Sequence, residues 1–185
     1  MTTKLGLLDR GVVGLEIDFW AHPRGGEGSL DAAQITEYIK SAFEGVDVVV
    51  ASHANGAPEI AWGDSFFIYD PNRDLPDTRR FPFATIVTKD YTGFDELSHL
   101  NRPGVFRLNV GVSKETFDRL FGKNDDHDFT ALDLLMPHPL YGVNHFVCVL
   151  NPGDETFAAV KPLLAEAYSI AVRRATRPTR SRSSR

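Results

Sequence analysis

Two apolar, aromatic-rich runs flank a polar segment in the middle of the chain, and this pattern constrains the fold more than any other stretch. The runs are Ala61–Tyr69 and Pro82–Lys89, and the segment between them is rich in Pro, Asp and Arg. Short runs of this composition are typical of β-strands, and the turn-forming residues between them interrupt the extended chain. The stretch therefore predicts two strands joined by a loop.

The flanking segments predict further strands and separate helices. A first helix is predicted over Asp31–Glu44, because apolar residues recur there at helical spacing and Asp31 with Gln34 resembles a capping box. Further strands are predicted over Val46–Ser52, Val105–Val112 and His145–Leu150, and further helices over Lys114–Phe121 and from Asp154 to about Arg174. Pro162 lies inside the last helical pattern and predicts a kink or a break.

This order of elements predicts an α+β fold, with one antiparallel sheet of four to five strands and helices packed on one face. Alternation along Val105–Val112 places apolar side chains on one side of the strand, and Arg107 and Asn109 on the other. The residues expected in the core are Phe106, Leu108, Val110, Phe146, Cys148 and Leu150, with Ile35, Ile39 and Leu164 packed against them.

The charge is uneven along the chain. The net charge is −5, and the last 13 residues contribute +6, so that residues 1–172 carry −11. A tail rich in Arg and Ser with few apolar residues cannot form a core, and disorder is expected there. The predicted organisation is an irregular leader over residues 1–30, one α+β domain over 31–174 and a disordered basic tail over 175–185.

Composition and motifs argue against several functional classes. The single cysteine, Cys148, excludes an internal disulfide framework and indicates a buried, inert thiol. Charges interrupt the N-terminal segment, and no apolar run is long enough to cross a membrane, so a cytoplasmic location is expected. The sequence has no paired-histidine zinc spacing, no glycine-rich phosphate loop and no serine elbow. No metal and no cofactor is therefore expected, and a non-catalytic role is favoured.

One set of polar and aromatic residues predicts a ligand-binding surface on the less apolar side of the sheet. Arg107 offers planar donors for an anion, and two prolines restrict the backbone around His138. A groove lined by these groups would orient a small anionic or aromatic ligand. The set is Trp62, Asp64, Lys89, Arg107, Asn109, His138, Tyr141 and His145. The alternative is structural: Arg107 pairs with Asp64 or Asp90, Asp64 bonds a neighbouring turn, and the histidines are capped turn residues.

Several blocks of the sequence resemble a known family. The blocks WGDSFF, FPFATIVTKDY, RPGVFRLNVGV, PHPLYG and VLNPG occur in this order between residues 31 and 172. Together they resemble an actinobacterial family described only as a domain of unknown function. The arrangement of helix, aromatic strand, Phe-Ala strand and closing strand before a helix is also similar to that of the YjbR/MmcQ-like proteins. That resemblance implies a small α+β fold and proposed DNA binding, and it implies no catalytic residues.

Three functions are therefore open from the sequence. The first is a non-catalytic binding module for a small molecule or a protein partner. The second is nucleic-acid binding through the arginines of the C-terminal end, which are Arg173, Arg174, Arg177, Arg180, Arg182 and Arg185. The third is a small hydrolase or transferase in which His138 or His145 acts as general base.

Overall fold

The computed structural model describes residues 29–122 and 126–177. The predicted leader, except for its last two residues, and the tail from residue 178 onwards lie outside these ranges. The helices are α1 (Ala32–Ala42), α2 (Lys114–Phe121) and α3 (Asp154–Thr176). The strands are β1 (Val46–Val50), β2 (Ser65–Tyr69), β3 (Ala84–Val87), β4 (Arg107–Gly111), β5 (Met136–Pro137) and β6 (Phe146–Leu150).

The six strands form one antiparallel sheet in the order β1-β2-β3-β4-β6-β5. The two runs at the centre of the sequence are β2 and β3, which pair directly, and the predicted α+β class is confirmed. The sheet has six strands rather than four to five, because β5 is a two-residue strand next to β6. Two residues are too short to show an alternating pattern, and so the sequence does not reveal this strand.

The helix ends follow the predicted capping chemistry in two of three cases. Asp31 and Gln34 form the complete capping box of α1, and the Ser113 hydroxyl accepts from the backbone N–H of Thr116 in α2. Helix α3 differs, because Gly153 rather than Asp154 is its N-cap, and the helix continues through Pro162 without a break. Buried apolar residues on both sides of that proline outweigh the lost backbone hydrogen bond: Phe157, Val160, Leu163 and Leu164.

Helices α1 and α3 cover one face of the sheet and form the main core with it. Leu108 and Val110 of β4 lie at the centre of this core, opposite Val149 and Val147 of β6. The predicted core positions Phe106, Leu108, Val110, Ile35, Ile39 and Leu164 are all buried. The hydrophobic pattern therefore identified the helix-facing side of β4 correctly.

The predicted orientation of β6 is wrong. In the observed register Cys148 lies opposite Asn109, and Leu150 lies opposite Arg107. Directly opposite residues share a face of the sheet, so Cys148 and Leu150 lie on the face away from the helices. Both are buried there, while Phe146 is only partly buried. The strand is apolar on both faces, and its own sequence does not distinguish the two orientations.

The face away from the helices is covered by loops instead of being open. Leu100 and Met136 pack there with Cys148 and Leu150 in a second, smaller core. Partly buried residues of the surrounding loops extend it: Tyr91, Val105, Phe129 and Ala131. Polar side chains on this side of β4 therefore enter a covered layer rather than solvent.

Truncation of Leu108 tests the position of the main core. Leu108→Ala should lower the free energy of unfolding by about 2–5 kcal/mol, because it leaves a cavity between the sheet and α3. Leu134→Ala is the matched control, since the Leu134 side chain is half exposed and its loss should cost less than about 1 kcal/mol. Urea denaturation of both variants measures the difference, and equal costs would contradict the assigned core.

Candidate functional site

Arg107, the centre of the predicted ligand surface, is fully buried under the loops that cover the sheet. Its guanidinium donates to both carboxylate oxygens of Asp95, at 3.1 and 2.5 Å, and to the Ser98 hydroxyl at 2.7 Å. Its Nε donates to Asn109 Oδ1 at 2.9 Å, and Asn109 Nδ2 donates to Thr85 Oγ1 at 2.9 Å. The hydrogen-bonding groups of this network are directed at one another and away from solvent.

The geometry agrees with the structural alternative for Arg107, although the acid differs from the two expected. The partner is Asp95, which lies in the connection between β3 and β4, rather than Asp64 or Asp90. Asp90 accepts from the backbone N–H of Leu100 at 2.7 Å and holds the same connection in place. Sequence reasoning missed Asp95 because a residue in an irregular loop has no periodicity that predicts its direction.

His138 lies beside this ion pair and is also buried. Its Nδ1 accepts from the backbone N–H groups of Leu140 and Tyr141, each at 3.1 Å, and its Nε2 is 3.9 Å from an oxygen of Asp95. Burial and the nearby Arg107 charge lower the pKa of His138 to about 3, although Asp95 acts in the opposite direction. An enclosed, neutral imidazole with both nitrogens directed inward is poorly placed to act as a general base.

Asp64 forms a second buried polar contact at the end of β3. It accepts from the backbone N–H of Thr88 at 2.8 Å, from the Thr88 hydroxyl at 2.9 Å and from the Tyr91 hydroxyl at 2.6 Å. Burial raises the pKa of Asp64, although these hydrogen bonds act to lower it. Burial and the Asp64 carboxyl also raise the pKa of Tyr91. Asp64 thus ties the start of β2 to the end of β3, as the structural interpretation of this residue predicted.

The hydrogen bonds and ring contacts of the eight predicted site residues fall into three sets. The first set includes Asp64, Trp62 and Lys89. The Trp62 indole N–H donates to the carbonyl oxygen of Ala57 at 2.9 Å, and the Lys89 ammonium donates to that of Glu59 at 3.1 Å. Arg107, Asn109, His138 and Tyr141 form the second group. The ligand-binding role of this set stays a prediction.

The third set is the ring contact of His145 with α2, and its predicted place beside Arg107 stays a prediction. Its ring contacts the edge of Phe117 in α2, with 5.7 Å between the ring centroids. The backbone of His145 has φ 64°, at the end of a short turn just before β6. A residue in this left-handed conformation does not follow the alternation of the strand, and parity therefore fails to place it.

A pocket of about 260 Å³ lies at the C-terminal end of α3, and none of the eight predicted site residues lines it. Its walls come from the loop before β3, the end of β4, the turn before β6 and the last turns of α3. The aromatic and polar residues that line it are Tyr69, Phe81, Phe83, Phe146, Arg79, Asn144 and Arg174. Sequence reasoning missed this site because its residues lie far apart in the chain. The local sequence feature that could have indicated it is Phe81, an exposed aromatic residue between arginine and proline.

Two arginines hold the rim of this pocket in place. Arg80 pairs with Asp70 and with Asp47, the latter at 2.8 Å, and Asp70 also accepts from the backbone N–H of Asp74 at 3.1 Å. Arg79 donates to the carbonyl oxygen of Ala175 at 2.7 Å, as well as to those of Arg174 and Arg177. Arg79 therefore satisfies the C-terminal carbonyl groups of α3 and attaches the rim to the helix.

Of the two arginines in the last turn of α3, Arg174 is the one that lines the pocket. Within residues 29–122 and 126–177, no carboxylate pairs with its guanidinium, and its side chain lines the pocket. Arg173 is a second exposed residue of the same helical turn, and Arg177 is the C-cap of α3. The remaining arginines predicted to bind nucleic acid lie outside the described residues: Arg180, Arg182 and Arg185.

The described part of the chain holds no group of three or more His, Cys, Asp or Glu residues placed to bind a metal ion. Burial raises the pKa of the Cys148 thiol to about 12, and its sulfur lies 3.5 Å from the carbonyl oxygen of Pro137. None of the helices in the ranges that the structure describes is both long and apolar enough to cross a membrane.

Fold and polar network together define an α+β protein with a single antiparallel sheet and an Arg107–Asp95 ion pair buried beneath loops. The model of DUF6194, a family of unknown function, matches residues 30–181, and the chain belongs to this family. No curated protein and no solved structure matches the chain. The predicted membership of a family of unknown function is confirmed, whereas the actinobacterial origin and the resemblance to YjbR/MmcQ-like proteins stay predictions.

Removal of the buried guanidinium tests the structural role of Arg107. Arg107→Ala should lower the free energy of unfolding by about 3–5 kcal/mol, because it leaves the Asp95 carboxylate buried without its partner. The double variant Arg107→Ala/Asp95→Ala should recover part of this loss, since the unpaired charge is gone. Arg73→Ala breaks an exposed ion pair with Asp47 and should cost no more than ~1 kcal/mol. Equal effects of Arg107→Ala and Arg73→Ala in urea denaturation would refute this role.

The lowered pKa of His138 predicts a dependence of stability on pH. Below the ordinary pKa of 6.5 the unfolded chain binds a proton at this residue, which the folded protein does not bind until about pH 3. Stability should therefore fall as the pH drops through this window, by about 2 kcal/mol at pH 5 relative to pH 7.5.

His138→Asn is the control for this titration, because the amide oxygen replaces the Nδ1 acceptor and does not titrate. The variant should lose less stability between the same two pH values in urea denaturation. The raised pKa of Asp64 has the opposite effect on stability, and it cancels in the comparison because both proteins carry Asp64. Identical pH profiles would show that His138 is not buried in its neutral form.

Proposed function

We propose that the protein is a non-catalytic binding module, which holds a small organic anion with an aromatic body in the pocket at the end of α3. The observation that carries this proposal is the position of Arg174, an arginine without a carboxylate partner in the described ranges, at a pocket walled by aromatic rings. Pockets that combine apolar walls with a few polar groups are the usual sites for small molecules.

The chemistry of the lining residues favours a carboxylate as the anionic group. A guanidinium presents two parallel N–H donors, which match the two oxygens of a carboxylate. Asn144 supplies an amide at the same pocket, and the rings of Phe81 and Phe83 supply flat apolar surface. The volume of about 260 Å³ is slightly below the usual range for drug-sized ligands, so the expected ligand is about the size of one aromatic ring with a short side group.

The electrostatic environment supports an anion at this position only because Arg79 is present. The C-terminal end of a helix carries a partial negative charge, which on its own repels an anion. Arg79 donates to the carbonyl oxygens of Arg174 and Ala175, at 3.1 and 2.7 Å, and offsets this charge. Arg174 then leaves the mouth of the pocket positively charged.

The polar groups that resemble catalytic residues support a binding role rather than an enzymatic one. Asp64 accepts hydrogen bonds from Thr88 and Tyr91, and the hydrogen bonds that Arg107 donates connect a loop to the sheet. His138 is enclosed and neutral. The alternative of a hydrolase or transferase with His138 as general base therefore receives no support from this geometry.

Nucleic-acid binding is the second candidate, and the observation that favours it is the cluster of Arg173, Arg174 and Arg177 at one end of the molecule. A polyanion would bind this end through phosphate contacts and with a strong dependence on salt. A mobility shift of duplex DNA that weakens with salt and disappears on removal of residues 177–185 would support it. No shift at low salt would exclude it.

Benzoate and its neutral counterpart benzamide provide the direct test of the proposed pocket. We expect benzoate to shift the amide NMR signals of residues around the pocket, and to bind more tightly than benzamide because only benzoate carries the charge that Arg174 complements. Arg174→Gln should weaken benzoate binding by about tenfold or more, which corresponds to the loss of one charge-assisted hydrogen-bonded contact.

Arg173→Gln is the matched control, since it removes the same charge from the adjacent position outside the pocket lining. It should leave benzoate binding within about twofold. Phe81→Ala should weaken benzoate and benzamide alike, because it removes a ring from the wall, and Phe81 is exposed enough to be truncated without loss of the fold. Equal binding of the two probes, or an equal effect of the two arginine variants, would contradict the proposal.

A further inference from the structure

Strand β1 is one edge of the sheet, and its hydrogen-bonding groups alternate between β2 and the open side. The backbone N–H of Ala51 donates to the carbonyl oxygen of Asp64 at 2.9 Å, and the carbonyl oxygen of Gly45 accepts from Asp70 N–H at 2.9 Å. Odd-numbered residues therefore bond to β2, since successive residues of a strand point their backbone groups to opposite sides. The N–H and C=O groups of the even residues face the open edge: Val46, Val48 and Val50.

The open edge of β1 has no backbone partner in the described part of the chain. At the end of β1 the Asn55 side chain lies on this side: its Nδ2 donates to the carbonyl oxygen of Val50 at 2.8 Å, and its Oδ1 accepts from Ser52 N–H at 3.0 Å. Four of the five residues of β1 are valine, and the Val50 side chain is 52% exposed. An unpaired, β-branched edge strand is a template for the addition of another strand.

We propose that the open edge of β1 binds the same strand of a second copy of this chain, in antiparallel orientation about a two-fold axis. Val48 then lies opposite Val48 of the second copy, and Val46 opposite its Val50. In this register the outward-facing backbone groups of both strands meet, and the two Val48 residues can exchange two hydrogen bonds. In each Val46–Val50 pair the Val50 carbonyl, which already accepts from Asn55, takes the Val46 N–H on its second lone pair. The two six-stranded sheets become one continuous sheet.

The side chains of β1 are the reason that a second copy fits this edge. Each pair on the helix side of the sheet is valine against valine, and Asp47 lies opposite Val49 on the other side. A register shifted by two residues toward the N-terminus would place Asp47 directly opposite Asp47, where like charges repel. The register centred on Val48 avoids this repulsion and also covers Val50, and the strand is therefore complementary to itself.

The opposite edge of the sheet explains why such pairing would stop at two copies. Strand β5 has only two residues, and one of them, Pro137, has no backbone N–H to donate. When two copies pair through β1, the contact buries this edge on both of them. A third copy then has no open edge to bind, and the assembly is a closed dimer rather than a fibre.

The test is the association state of the full chain over a range of concentrations, measured by sedimentation velocity. We expect a concentration-dependent dimer, and slower amide exchange at Val46, Val48 and Val50 in the dimer than in the monomer. Val50→Lys should weaken the dimer by about tenfold or more, because it places a charge opposite Val46 of the second copy. The half-exposed Val50 side chain allows this change without loss of the fold.

Leu134→Lys is the matched control, since Leu134 is exposed to the same degree and lies in the chain just before β5, at the opposite edge of the sheet. It should leave the dimer unchanged. A monomer at every concentration would overturn the proposal, and so would a dimer that Val50→Lys does not weaken. Removal of residues 1–28 is a further arm: a monomeric full chain that dimerises only after this deletion would show that the leader, and not a second copy, occupies the edge.

Discussion

The buried ion pair between Arg107 and Asp95 is the interaction on which the arrangement of this protein depends. Arg107 projects from β4, near the middle of the sheet, and Asp95 and Ser98 reach it from the connection between β3 and β4. Removing both charges from water costs much of what their attraction returns, so the pair adds little net stability. Loss of one partner would leave a buried charge unpaired, and the pair therefore fixes where the loop lies on the sheet.

The two faces of the sheet are covered in different ways. Helices α1 and α3 pack on one face through apolar side chains, whereas loops cover part of the other face through a mixture of apolar contacts and polar networks. The polar residues of β4 and the segment around His138 form part of the polar network on this loop-covered face. A strand with one charged and one apolar side thus does not indicate an accessible site, because the charged side is itself buried against Asp95.

The surfaces that remain open lie at the ends and edges of the sheet. Arg79 and Arg80 connect the loop before β3 to α3 and to the start of the sheet, and this leaves a pocket with Arg174 at its mouth. The open side of β1 is the second such surface. Each surface presents polar groups without a partner in the described residues, the Arg174 guanidinium at the pocket and the outward backbone groups of Val46 and Val48 at β1, and this is what distinguishes them from the buried networks.

The sequence by itself determined the three helices, the five longer strands, the α+β class and the helix-facing side of β4, because periodicity and capping act between residues close in the chain. The Asp31 capping box and the burial of Leu108 follow directly from such patterns. Only the tertiary structure decided the face of Cys148, the partner of Arg107 and the existence of the pocket. Each depends on strand register or on loop position, which are set by contacts between residues distant in sequence, and these leave no local pattern.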